Sequence, residues 1–322
     1  MSEQKIYYRK VRDLGGIFTA TFAFIKQNFK PFFGGLLFLA GPFIIVGSAI
    51  SAYMMGSSMT FTKMVRNLES FYGKLLVSYF FSMIFIFIGI TIYNVILNKN
   101  LIENEKLKDD EPLTINHSLT GFFSDFWRVF GNTLLFVLVS VVAVAVIALV
   151  FGGIFSLTGG SNGSGGAIAL IVLMVILLFV AILIFGPILS FIPLAALFVC
   201  QRDRIGIFSA IRKVFYYLKG NFWTTWVVSF VAFICYSIMG FIVQLPVLII
   251  TLITTFSRAK STIGFGEADE TTPLLLVTAI IISSLLSYGV LSVYYLMSIY
   301  QYTNLEEKKE GSSIIEKINQ IQ

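Results

Sequence analysis

Charged side chains are scarce in this sequence. Asp, Glu, Lys and Arg make up 12% of its 322 residues, against about 25% in an ordinary soluble domain. The shortage excludes a disordered chain and a soluble enzyme with a charged surface. Histidine occurs once, at His117, so chemistry built on a histidine pair is excluded. The two cysteines, Cys200 and Cys235, lie in apolar runs. They read as small packed hydrophobes, not as a disulfide framework. Apolar residues fill the gap, at 57% of the chain with 33 Phe. Mean hydropathy is +0.87. The class that remains is an all-α polytopic membrane protein.

Six spans are expected, at about 31–55, 75–97, 133–157, 168–200, 224–256 and 274–299. Each exceeds the roughly 20 apolar residues that cross a bilayer core, and none contains Asp, Glu, Lys, Arg or His. Of the 23 Lys and Arg, 18 fall before span one, in the second and fourth connections, or after span six. By the positive-inside rule both termini are expected in the cytoplasm. This asymmetry accounts for the net charge of +6, and no nucleic-acid partner is expected. The opening MSEQKIYYRKVRDL is polar and basic, with no cleavable signal in sight. Span one is therefore expected to insert as an uncleaved anchor. Spans four and five, at about 33 residues, would reach roughly 50 Å across a ~30 Å core. They must tilt, kink or continue out of the bilayer. Pro187 and Pro193 in span four, Pro246 in span five and Gly41-Pro42 in span one offer kink positions.

An internal pattern divides the chain into three. Leu14, Ile17, Phe18, Phe22 and Ile25 precede Asn28-Phe29 and span one. Ile207, Ala210, Ile211, Phe215 and Leu218 precede Asn221-Phe222 and span five, and the two segments align without a gap. Phe122, Phe126 and Val129 precede Gly131-Asn132 and span three. Steps of three and four place these apolar residues on one helix face. Asp125, Arg128, Arg212 and Lys213 fall on the opposite face, toward lipid headgroups. The expected architecture is three units, at about 12–97, 117–200 and 205–299, each an interfacial amphipathic helix followed by a transmembrane hairpin. Asn28, Asn132 and Asn221 would turn the chain at each junction. A membrane domain over 1–301 would leave 302–322 as a tail, with Ile314, Ile318 and Ile321 forming a short stripe for docking.

The stretch Phe215-x-x-Leu218-Lys219-Gly220-Asn221-Phe222-Trp223, with weaker copies at Phe22–Phe29 and Phe126–Asn132, resembles a group of bacterial six-span inner-membrane proteins. The group comprises YciC-like proteins and the membrane domain that precedes some glycerophosphodiester phosphodiesterases. The likeness spans nearly the whole chain in architecture and implies the fold and a bacterial cytoplasmic membrane. No phosphodiesterase domain is expected within these residues, so the resemblance implies the fold and not that reaction.

Catalytic patterns are few. His117 reads as a loop residue, and Asp109-Asp110-Glu111 as a solvated loop. Gly159-Gly160-Ser161-Asn162-Gly163 fits the spacing of a serine-nucleophile elbow but lies in a glycine-rich loop with no histidine at hand. No metal or cofactor is expected. Buried carboxylates or histidines of a proton-coupled carrier are missing from the spans. Gln244 near the middle of span five and Asn94 toward the end of span two are the main intramembrane polar groups. Gln244 is expected to bond a neighbouring helix, or to line a cavity. Small-residue pairs such as Gly47/Ser51 and Ser48/Ala52 mark packing on span one. The function these features favour is a non-enzymatic scaffold or accessory subunit, with membrane lipids and other membrane proteins as partners. The alternative is a passive carrier of a lipid or small hydrophobic solute.

Overall fold

The computed structural model describes residues 5–58, 68–108, 111–157, 165–262 and 271–311. Every regular element among them is helical. In chain order they are α1 (Leu14–Gln27), α2 (Phe29–Gly34), a π-helical turn (Gly35–Ala40) and α3 (Gly41–Ser58). Then come α4 (Leu68–Lys106), α5 (Ile115–Leu119), α6 (Phe122–Leu157) and α7 (Gly165–Asp203). The last are α8 (Ile207–Leu218), α9 (Phe222–Thr262) and α10 (Thr271–Glu310). Six stretches are long and apolar enough to cross a membrane, within 29–53, 76–106, 122–150, 172–203, 222–256 and 274–310. The protein is an all-α polytopic membrane fold.

The helices outrun the bilayer. α4 and α7 have 39 residues and α10 has 40, or roughly 60 Å at ~1.5 Å per residue. Their surplus lies at the end of the bundle that also carries the N-terminal segment. There residues 91–101 of α4, 195–201 of α7 and 292–307 of α10 are buried at every position. A helix buried around its whole circumference is a core helix. α10 is the hub, packed against α9, α3, α7, α1 and α8. The boundary expected at residue 301 is therefore corrected. α10 runs unbroken to Glu310, and Tyr302 to Glu307 are core residues, not tail. They stay buried because their polar groups find partners on α7, α8 and the N-terminal segment. Ile314, Ile318 and Ile321 lie outside the described residues.

Segments one and three of the threefold pattern form separate helices, α1 and α8. Asp13 caps α1 by accepting the Gly16 N–H at 2.7 Å. Asn28 and Asn221 do matching work after them. Each side-chain amide donates to the carbonyl four residues back, Asn28 to Phe24 at 3.1 Å and Asn221 to Tyr217 at 3.4 Å. Each Asn carbonyl then accepts the first bond of the following helix, from Phe32 and Thr225. The second segment departs from the expectation. Gly131-Asn132 lies inside α6, and the chain turns ten residues earlier, at Gly121 with φ +67°. Gly220, at φ +87°, makes the corresponding turn before α9. Only a glycine held in the left-handed region breaks the chain cheaply. Gly131 stays helical, so Phe122, Phe126 and Val129 open the span instead of preceding it.

The amphipathic faces also differ from expectation. α8 buries Ile207, Ala210, Val214, Tyr217 and Leu218 against the bundle and exposes Phe208 and Phe215. α1 likewise buries Ile17 and Phe24 and exposes Leu14, Phe18 and Phe22. Each helix thus has two apolar faces, one buried against the bundle and one exposed.

In span one the π-turn ends directly before Pro42. The Gly41 N–H bonds five residues back, to Leu36. The wider turn relieves the clash of the Pro42 ring with the carbonyl four residues earlier. Beyond it, α3 and α4 approach closely through glycine. Ser82 of α4 donates to the Gly47 carbonyl at 2.7 Å and bonds Ser51. A Cβ on Gly47 would lie 2.9 Å from the Ser82 carbonyl oxygen, and one on Gly89 2.7 Å from Ile44 Cγ1. Gly47→Ala is therefore expected to lower the thermal midpoint in detergent, at a cost of about 1–3 kcal/mol, although alanine is the better helix former. Gly240→Ala, with nothing within 4 Å of its Cβ, is expected to be neutral or to stabilise by about 0.5–1 kcal/mol.

Candidate functional site: a charged core and the groove beside it

Arg202, at the end of α7, grips Glu306 of α10 with both terminal nitrogens, each at 2.6 Å. Its Nε donates to Asp203 at 2.7 Å. Lys213 of α8 closes the cluster, 2.8 Å from Asp203 and 3.3 Å from Glu306. The Arg202 guanidinium also stacks near the rings of Phe198 and Tyr302, 5.4 and 5.7 Å away. The Arg202 and Glu306 side chains are 7% and 8% exposed, so this is a core ion pair. Burial works to lower the Lys213 pKa. The hydrogen bond to Asp203 and the Glu306 and Asp203 charges outweigh it and hold that pKa above the ordinary lysine value. A raised lysine pKa stabilises the fold fully below the unfolded value and loses effect only as alkaline pH climbs through the folded one. The Lys213 contribution is thus constant across neutral pH. Lys213 does not face headgroups as the sequence pattern suggested, because two carboxylates draw it inward.

The N-terminal segment straps this end. The Tyr8 N–H donates to Glu105 at 3.0 Å, and its carbonyl accepts from Thr303 at 3.0 Å. Asn104 donates to the Ile6 carbonyl at 2.9 Å, and Asn304 accepts the Arg12 N–H at 3.0 Å. Tyr8 packs edge-on against Phe198, 5.6 Å between centroids. The strap therefore ties α4, α7 and α10 together. Side-chain amides complete the net. Asn98 donates to Gln201 at 3.0 Å, Gln201 to the Val95 carbonyl at 3.2 Å, and Gln301 to Thr225 at 3.0 Å.

Two cavities flank α6 where it meets α4 and α7. The first, about 370 Å³, is polar and bordered by Lys99, Lys106, Asp125, Arg202 and Arg204. Lys99 pairs with Asp125 at 3.3 Å and Lys106 with Glu103 at 2.8 Å. The second, about 460 Å³, is an apolar groove open along the side of the bundle, bordered by Asn94, Thr133, Phe136, Val144 and Leu194. Val129 packs on Val95 and Leu197.

The intramembrane polar residues divide between packing and groove. Gln244 donates to Ser287 on the neighbouring α10 at 3.2 Å. Pro246 lies inside α9, and Pro187 and Pro193 inside α7, with neither helix broken. Trp226 donates its indole N–H to the Ile184 carbonyl, just before Pro187, at 2.7 Å. Asn94 is buried at the wall of the groove. Asn132 is not a junction; its Nδ2 is buried without a partner inside α6. His117 caps α5, its Nδ1 3.2 Å from the Thr114 backbone N–H. No cluster of metal ligands occurs among the described residues. Asp109, Asp110 and Gly159–Ser164 lie outside them.

Sequence reasoning missed the Arg202–Glu306 pair and the strap, since it counted charges only as loop or tail. Glu306 and Glu307 directly continue the apolar period of α10, which was the available sign. No family model, curated protein or solved structure matches the chain.

Removing one member of the buried pair leaves the other a single ionic partner, Asp203 for Arg202 and Lys213 for Glu306. Glu306→Gln and Arg202→Met are each expected to cost about 3–5 kcal/mol in detergent unfolding. The double variant Arg202→Met/Glu306→Met is expected to recover most of that loss. Additive costs would show that the pair is not coupled.

Proposed function

We propose that this chain is a non-enzymatic scaffold or accessory subunit of the bacterial cytoplasmic membrane, with both termini in the cytoplasm. Its partners on this reading are lipids and other membrane proteins. The observation that carries the reading is an imbalance in packing. At one end of the bundle, three helices are buried around their whole circumference. By contrast, α6 is exposed at 138–142 and again at 144–150, on every face, and α7 is exposed through most of 172–185. The α6–α7 hairpin is therefore anchored by its base and presents bare apolar surface in the membrane. Lipid solvates such a surface, so the reading rests on the free circumference of α6, which leaves room for another transmembrane segment to pack. The polar groups elsewhere serve the fold. Arg202 and Lys213 engage Asp203 and Glu306, Lys99 engages Asp125, and Gln244 joins α9 to α10. Gln244, which a carrier would use to line a cavity, bonds Ser287 on α10.

Photo-cross-linking residues placed at Val144, Val175 and, for comparison, Phe241 on α9 test this in native membranes. All three positions are exposed. A discrete adduct with one other membrane protein is expected at Val144 or Val175 and not at Phe241. Adducts with lipid alone at all three positions would overturn the accessory-subunit reading.

A further inference from the structure

Two buried donors on one face of α6 lack an acceptor. Arg128 Nη1 and Asn132 Nδ2 have no hydrogen-bond partner among the described residues. Asp125, Arg128 and Asn132 follow one another at steps of three and four, so they share a helix face. Asp125 borders the polar cavity, and Thr133, next after Asn132, borders the apolar groove. Along the α6 axis the two idle donors therefore lie at levels between Asp125, at the polar cavity, and Thr133, at the apolar groove. A buried donor left unpaired costs about 1–3 kcal/mol, and more when charged. Such a pair points to an acceptor supplied from outside the chain.

Charge gives its sign. Around the polar cavity Lys99, Lys106 and Arg202 are each matched by a carboxylate. Among the described residues Arg128 and Arg204 enter no ion pair. Arg204 borders the cavity in the left-handed conformation, φ +56°, directly after α7 ends. Glycine usually fills that position, since any side chain adds strain there. Two guanidinium groups, one on α6 and one just after α7, thus lack a carboxylate partner, and arginine is the residue best shaped to clasp a phosphate.

The groove gives the rest of the ligand. From Thr133 to Val144 the helix rises roughly 16 Å, about one leaflet of a ~30 Å hydrocarbon core. Its volume, about 460 Å³, falls within the roughly 300–1,000 Å³ of ordinary ligand pockets. Asn132 lies one helical turn, about 6 Å, deeper than Arg128. That is the order in which a glycerophospholipid presents its phosphate, then its ester carbonyl, then its acyl chain.

We propose that the cleft between α4, α6 and α7 is a binding site for one anionic glycerophospholipid. Its phosphate is held by Arg128 and Arg204, an ester carbonyl by Asn132, and an acyl chain by the groove beyond Thr133. The site is independent of the scaffold reading; a bound lipid is compatible with any cross-linking result at the α6–α7 hairpin.

The test uses the full chain in nanodiscs of phosphatidylcholine, with phosphatidylglycerol titrated in and the thermal midpoint and retained lipid read by native mass spectrometry. Phosphatidylglycerol is expected to raise the midpoint and to be retained as one molecule per chain. Arg128→Met is expected to weaken that retention tenfold to a hundredfold, the equivalent of one charged hydrogen bond at roughly 1.5–3 kcal/mol. Its midpoint without anionic lipid is expected to be unchanged or raised, since an unpaired buried charge is lost. Asn132→Leu and Val137→Trp, which narrows the groove, report on the same site should Arg128→Met not fold. Arg212→Met, an exposed cation on α8, is expected to retain lipid like the parent. Equal effects of Arg128→Met and Arg212→Met would overturn the proposal by revealing diffuse surface charge. An equal midpoint shift from inorganic phosphate, or unaltered retention by Arg128→Met, would overturn it as well.

Discussion

Arg202 and Glu306 are 104 residues apart in sequence and meet at 2.6 Å, and the arrangement of this bundle depends on that meeting. Hydrophobic burial can hold helices side by side in a membrane only weakly, because lipid tails solvate an apolar surface as well as another helix does. A buried bidentate pair behaves differently. It tolerates one orientation, and misalignment leaves a charge stranded. Lys213 and Asp203 enlist α8, Tyr302 adds a phenol beside Glu306, and Tyr217 of α8 bonds Glu310. Hence α7, α8 and α10 are set relative to one another by charge, and the apolar contacts fill in around that register.

The N-terminal strap extends the same logic to α4. Its backbone groups have no helix or sheet to satisfy them, so they take Glu105, Asn104, Asn304 and Thr303 as partners. Those side chains would otherwise be polar groups at the foot of a closely packed bundle. Strap and helix ends satisfy each other, and neither arrangement is favourable without the other. The result is a protein with an ordered polar foot and a more open membrane region. The α6–α7 hairpin joins the foot through Val129, Leu197 and the Lys99–Asp125 pair, and beyond them its side chains are exposed.

That division of labour gives the functional readings their shape. The ordered foot holds the base of α6, and two arginines there, Arg128 and Arg204, enter no ion pair among the described residues. Farther along, the same helix offers surface to the bilayer. Lipid recognition draws on Arg128, Arg204 and Asn132 near the root and protein recruitment on the outer hairpin, and the two surfaces meet at Val144, which borders the groove.

The spans were legible from composition alone, because only apolar stretches of some 20 residues survive in hydrocarbon and charge must leave them. The separate helices α1 and α8 were legible from apolar spacing, and Asn28 and Asn221 from their place just before a span. Tertiary structure decided the rest. Whether a glycine breaks a helix depends on the φ it is held at, so Gly121 turns the chain and Gly131 does not. Whether a charge is solvated or buried depends on what another helix brings to it. For Glu306 that is Arg202, for Asp125 it is Lys99, and for Arg128 the described chain brings nothing. Local pattern fixes which residues can enter a membrane, but partners distant in sequence determine which of the remaining polar groups are satisfied.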